Sequence, residues 1–154
     1  MSAKANKTAS SSRAAKAKPH HVGADVLDRL VQEAKEVREN AYAPFSHYKV
    51  GAALMTKAGS IYRGCNVENS TFGATICAER GAIMQMVANG DSTPIACAVV
   101  TRDGGSPCGI CRQVLAEFAV DMPIVLVGLE SLEGETGTVV QLSELLPFAF
   151  RLAT

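Results

Sequence analysis

Three observations in the amino-acid sequence predict an α/β domain, a three-layer α/β/α sandwich around a mixed sheet of about five strands. Two near-continuous apolar runs, 95–101 and 124–129, read as strands covered on both faces. Segments with helical spacing of apolar residues alternate with them, and that alternation belongs to helix-linked strands of one sheet. A Lys57-Ala58-Gly59-Ser60 turn joins two short β-prone segments into an antiparallel hairpin, which makes the sheet mixed.

In chain order, residues 1–22 are rich in Ser, Ala and Lys without apolar periodicity and read as a disordered basic tail. An organelle transit peptide is the other reading of so acid-free a start. His20 and His21 at its end read as solvated side chains. The folded domain is expected over 23–154. Val26, Leu27, Leu30, Val31, Ala34 and Val37 share one helix face, Asp25 and Asp28 place negative charge in its first turn, and the helix should end near Asn40. Pro44 makes 43–46 a loop. Segments 48–56 and 61–65 are the hairpin strands. Asn66-Val67-Glu68-Asn69 follows at a strand end, where such side chains either satisfy loop backbone or offer a hydrogen-bonding platform to a hydroxylated ligand; spacing alone favours the first. A second helix spans 77–89, with Ile83, Met84, Met86 and Val87 as core contacts and Asn89-Gly90 as its stop. A third helix covers 108–118. A polar loop at 130–137, a last strand at 138–142 and a helical turn at 143–146, stopped by Pro147, complete the chain.

A length of 154 residues suits one domain, and 47% hydrophobic residues with no Trp make its core aliphatic. No apolar run is long enough to span a bilayer and no secretory signal is visible, so a cytoplasmic protein without a membrane partner is expected. The formal net charge of zero hides an asymmetry. Lys4, Lys7, Arg13, Lys16 and Lys18 precede the first acid, Asp25, and the rest of the chain carries ten basic residues against fifteen acidic ones. An acidic body disfavours nucleic acid as partner, because phosphates need clustered positive charge. Five cysteines in such a context read as reduced thiols, and an odd number leaves no complete disulfide framework.

The chemistry concentrates in Cys77-Ala78-Glu79-Arg80 and Pro107-Cys108-Gly109-Ile110-Cys111-Arg112. Both fall where a helix begins, where unpaired N–H groups and the helix dipole favour thiolate. Cys108 and Cys111 share a helix face, so both can reach an ion that Cys77 approaches from the other helix. Three thiolates without a fourth protein ligand suit a catalytic zinc site with an open position for water. Glu79 is placed for general acid–base work there. Arg80 and Arg112 are close enough to donate to thiolate sulfur and draw charge off the metal. The competing readings are a Cys-x-x-Cys redox pair and a structural Cys₄ zinc completed by Cys65 or Cys97. Neither explains Glu79, and Cys97 reads as a small buried hydrophobe.

A Cys or His followed by Glu, then Pro-Cys-x-x-Cys, is the general signature of zinc deaminases. Together with Asn66-Val67-Glu68-Asn69 and Ala41-Tyr42-Ala43-Pro44-Phe45-Ser46-His47-Tyr48, these motifs resemble the zinc-dependent cytidine deaminases of the small homotetrameric nucleoside type, from about Ala41 to Phe150. The resemblance implies a cytidine deaminase-like fold and one Zn²⁺ per subunit. It also implies hydrolysis of cytidine and 2′-deoxycytidine to uridine and 2′-deoxyuridine with release of ammonia, a step of pyrimidine salvage. Within it Glu79 protonates N3 and then the departing amine, and backbone around Ala78 holds the base. Asn66 and Glu68 match the pair that holds the ribose 3′-hydroxyl, which reverses the reading from spacing. Tyr48 matches an aromatic, commonly Phe, that packs on the base, and Phe150 one contributed across a subunit interface of a homotetramer. Phe72 departs from the pattern, standing where many relatives carry Tyr. Alternatives are a deaminase of the blasticidin-S type, a catalytically silent zinc-stabilised binding module, and a polynucleotide deaminase, the last disfavoured by the acidic body.

Overall fold

The structure, a computed structural model, describes residues 22–130 and 136–152. The tail expected at 1–22 lies, apart from Val22, outside the described residues, as does most of the polar loop expected at 130–137. Val22 itself packs against the core beneath the first helix.

The elements follow one another as α1 (Ala24–Arg38), β1 (Gly51–Thr56), β2 (Ile61–Cys65), a 3₁₀ turn (Phe72–Ala74), α2 (Ala78–Ala88), β3 (Pro94–Thr101), α3 (Gly109–Phe118), β4 (Pro123–Gly128), β5 (Thr136–Gln141) and α4 (Leu142–Leu145). The five strands lie in the order β2-β1-β3-β4-β5. β3 and β4 are parallel, joined through α3, and the other pairs are antiparallel. The mixed sheet expected from the hairpin and the helix-linked strands is therefore the one formed.

Period-two alternation along the strands sorts the core into two layers. Leu54, Cys97 and Ile124 are register partners on one face, where they meet Ala82, Ile83 and Met86 of α2 and Leu115 of α3. Ala53, Ala98 and Val125 form the row on the opposite face, under Leu30 and Ala34 of α1. A strand buried on both faces needs apolar residues at every position, which is why the runs in β3 and β4 are continuous.

Two glycines set how closely helices approach this sheet. A Cβ on Gly64 would stand 2.3 Å from the Ala78 carbonyl oxygen, and one on Gly51 would stand 2.0 Å from that of Ala34. Side chains there would push α2 and α1 off the sheet, and the start of α2 is where the site lies.

Several boundaries differ from expectation for identifiable reasons. The first strand begins at Gly51 rather than at 48, because the Tyr48 carbonyl and Val50 amide bond to the Asn66 side chain. Leu142 opens α4 instead of closing β5: the Gln141 amide donates to Glu144 Oε2 at 2.7 Å, the reciprocal cap of a helix start. Met84 and Val87, expected in the core, are exposed, because the buried stripe of α2 runs through Ala78, Glu79, Ala82, Ile83 and Met86. Among the described residues no helix is long and apolar enough to cross a membrane.

Candidate active site

Cys77 is the N-cap of α2 and Cys108 the N-cap of α3, each with extended backbone and neither with its side chain engaged in capping. Their thiols are thereby free to converge. Cys111, in the first turn of α3, completes a cluster whose three Sγ atoms all lie within 4.8 Å of one another, with Cys77 and Cys108 at 3.9 Å. Sulfurs bound tetrahedrally to one zinc at about 2.3 Å stand about 3.8 Å apart. The donor set and its spacing thus fit that ion. Among the described residues no other group of three metal-ligating side chains comes together, and neither Cys65 nor Cys97 belongs to this one. A four-cysteine structural site has no fourth member here.

The thiols are electrostatically differentiated. Hydrogen bonding from Cys111, and then from Arg80 and Cys108, holds the Cys77 thiol down to about 5 despite burial. The same hydrogen bond pushes Cys111 up. Arg80 supports Cys77 directly: one guanidinium nitrogen donates to the Thr75 carbonyl at 2.6 Å and reaches Cys77 Sγ at 3.8 Å. Cys97, fully buried in β3, has its thiol pushed far up by burial and behaves as a small hydrophobe.

Arg112 departs from expectation. Its Nε donates to the Pro107 carbonyl at 2.7 Å, Nη1 to the Leu145 carbonyl at 2.9 Å and Nη2 to Ser106 Oγ at 2.9 Å. These bonds commit the guanidinium to the loop before Cys108 and to the end of α4. It positions a cysteine through backbone rather than touching sulfur.

Glu79, the second residue of α2, is only 3% exposed and lines a cleft of about 400 Å³ together with Cys77 and Cys108. Burial holds its carboxyl above the usual range, and the Cys77 charge acts in the same direction. A buried carboxyl raised in this way holds a proton more readily than an exposed one, as a group that both takes and gives protons must.

Tyr48, Asn66 and Glu68 line the same cleft. Asn66 Oδ1 accepts from the Val50 amide at 2.8 Å and its Nδ2 donates to the Tyr48 carbonyl at 2.8 Å. Glu68 accepts from the Phe45 amide at 2.8 Å, the Ser46 amide at 3.3 Å and the Ser46 hydroxyl. Both readings of this segment from sequence therefore have a basis: the side chains organise loop backbone, and they do so at the edge of a cavity. Ala78 is fully buried, its amide among the first of α2. Phe150 stays outside the cleft, exposed, its carbonyl accepting from Gln113 Nε2 at 2.8 Å. Phe72 is exposed as well, packed edge-on against Phe45 with ring centroids 5.8 Å apart.

Sequence reasoning missed Ser46, Thr75 and Asp103. Asp103 accepts the Tyr48 hydroxyl across 55 positions of chain. In the sequence it is only part of a turn, and no spacing signals a contact between side chains so far apart.

Residues 24–127 match the family described as the cytidine and deoxycytidylate deaminase zinc-binding region. The chain is similar to the cytidine deaminase of Sporosarcina psychrophila, 46% identical over 127 residues that cover 80% of this chain and 90% of the relative. It is similar also to that of Halalkalibacterium halodurans, 45% identical over 128 residues covering 80% and 95%. Among solved structures, the crystal structure of cytidine deaminase from Burkholderia pseudomallei superposes with a TM-score of 0.74 at 41% identity, covering 80% of this chain and 98% of the other.

Proposed function

The chain belongs to the cytidine and deoxycytidylate deaminase family, and on that premise we propose that it hydrolyses cytidine and 2′-deoxycytidine to uridine and 2′-deoxyuridine, releasing ammonia. The observation that carries the reading is the convergence of three cysteine sulfurs beside one buried carboxyl at the mouths of two helices. Cys77, Cys108 and Cys111 would hold the zinc, which supplies the Lewis acidity that makes water nucleophilic at neutral pH.

The chain's own residues do the rest. Glu79 accepts a proton from the water that adds to C4 of the pyrimidine and delivers it to N3; it then takes the remaining proton of the new C4 hydroxyl and passes it to the amine, so that the C4–N bond breaks, the C4 carbonyl forms and ammonia leaves. Its raised pKa suits both directions of transfer. The Ala78 amide, at the first position of α2, has no intrahelical acceptor and is available to the base carbonyl. Asn66 keeps one lone pair on Oδ1 and one N–H on Nδ2 beyond its bonds to backbone, and Glu68 keeps free lone pairs; both can take the ribose 3′-hydroxyl. The Tyr48 ring is the cleft wall on which the base packs. Arg80 draws charge off Cys77.

The active form in this reading is a homotetramer in which Phe150 closes a neighbour's cleft. Its support is the exposure of Phe148, Phe150, Leu152 and Ile110, large apolar groups that a lone chain leaves in water. A cytoplasmic setting belongs to the same reading, and its support is that thiols must stay reduced to bind metal.

Incubating the zinc-loaded protein with cytidine and following ammonia tests the reaction, alongside a metal count expected at one zinc per chain. A zinc-loaded protein that leaves both nucleosides intact overturns it.

A further inference from the structure

Tyr48 is held at more points than ring packing alone requires. Its amide donates to Ser46 Oγ at 3.0 Å, its carbonyl accepts from Asn66 Nδ2 at 2.8 Å, and its hydroxyl donates to Asp103 Oδ1. The Arg102 guanidinium lies 5.6 Å from the ring centroid. Arg102 and His47 line a separate groove of about 460 Å³, whereas Tyr48 lines the cleft. His47, immediately before it, has φ 55, a left-handed backbone uncommon for a residue with a Cβ and retained where the surroundings fix it.

Asp103 is itself held by its own turn. The same Oδ1 accepts from the Gly105 amide at 3.3 Å and from Thr101 Oγ1 at 3.3 Å, and the Gly105 amide also reaches Thr101 Oγ1 at 2.9 Å. Gly104, with φ 78, supplies the left-handed residue this turn needs. Thr101, Gly105 and Ser106 line the cleft with Tyr48, and two residues after Ser106 the chain reaches Cys108. Tyr48 and Asp103 thus join the two walls of the cavity, one built on Asn66 and one on the loop that delivers a metal ligand.

We propose that Asp103 is a positioning residue for the nucleoside: it fixes the Tyr48 ring as the wall on which the base packs and ties that wall to the loop leading to Cys108. This rests on the deaminase reading of the cleft. The hydrogen bond holds the Asp103 carboxyl below its usual range, while burial and then Asp103 push the Tyr48 phenol up. At neutral pH the acceptor is a carboxylate and the donor keeps its proton.

The test is a double-mutant cycle of wild type, Asp103→Ala, Tyr48→Phe and the double variant, with Asp103→Asn as the conservative control. KM and kcat for cytidine, zinc content and Tm are read for each. Asp103→Ala is expected to raise KM roughly threefold to tenfold, the equivalent of one partly exposed hydrogen bond, with a smaller change in kcat and zinc retained. Tyr48→Phe should do the same and the double variant no worse than either, because both remove one interaction. Asp103→Asn, which keeps an acceptor oxygen, should recover most of the loss. Effects that multiply in the double variant, or a fall in Tm with KM unmoved, overturn the inference and leave Asp103 as a turn cap. A wild type that is zinc-loaded yet inactive refutes the reaction itself and takes the inference with it.

Discussion

The Sγ atoms of Cys77 and Cys108 lie 3.9 Å apart although 31 positions separate the two residues in the chain. Each is the N-cap of its helix, so the contact fixes where α2 and α3 begin relative to one another as well as where a metal can sit. Removing the ion with a chelator should therefore abolish ammonia release and lower Tm, since a ligand bound only by the folded state stabilises it. Added zinc should restore both; full activity in metal-free protein would refute the assignment. Cys111→Ser is expected to lose zinc without the chelator, measured by metal content.

Glu79 places a carboxyl at a buried position lining the cleft. Glu79→Gln keeps the volume and removes the titration. Its expected outcome is full zinc occupancy with kcat lower by about a hundredfold to ten-thousandfold, the usual range for a general acid–base. Ammonia release at wild-type rate from the zinc-loaded variant would exclude the proton-transfer role.

Glu68 is held below the ordinary carboxylate range chiefly by the Ser46 hydroxyl, helped by the Phe45 and Ser46 amides. A carboxyl with a lowered folded-state pKa contributes stability above its unfolded pKa and loses it as pH falls through the folded value. The Tm gap between wild type and Glu68→Gln should accordingly persist at neutral and mildly acid pH and close only below the usual carboxylate range. Glu68→Ala should also raise KM for cytidine several-fold; an unchanged KM would remove the ribose contact.

Arg112 donates to two backbone carbonyls and to Ser106. Arg112→Ala is expected to destabilise by about 1–3 kcal/mol, read as a lower Tm, with weaker zinc binding through a loosened Cys108 loop. A variant with unchanged Tm and zinc affinity would show the clamp to be dispensable.

Phe150 tests the shared site. Phe150→Ala should lower kcat/KM while leaving the isolated chain's fold intact, because the ring touches nothing in its own cleft. Sedimentation of the wild type as a monomer with full activity would contradict subunit sharing.

Local physics made much of this legible in the sequence. Periodicity marked α1, α2, α3 and the buried β3 and β4, because strand and helix periods and two-sided burial are written into consecutive residues. Spacing singled out Cys77, Cys108, Cys111 and Glu79, because ligands one helical turn apart share a face and a helix start favours thiolate. The tertiary structure alone decided that Arg80 faces sulfur while Arg112, of the same residue type beside another cysteine, faces backbone. It alone brought Asp103 to Tyr48 and turned Met84 and Val87 outward. Each of these depends on which element lies across from a side chain, a matter of how helices seat on the sheet around Gly51 and Gly64, and no short-range pattern encodes it.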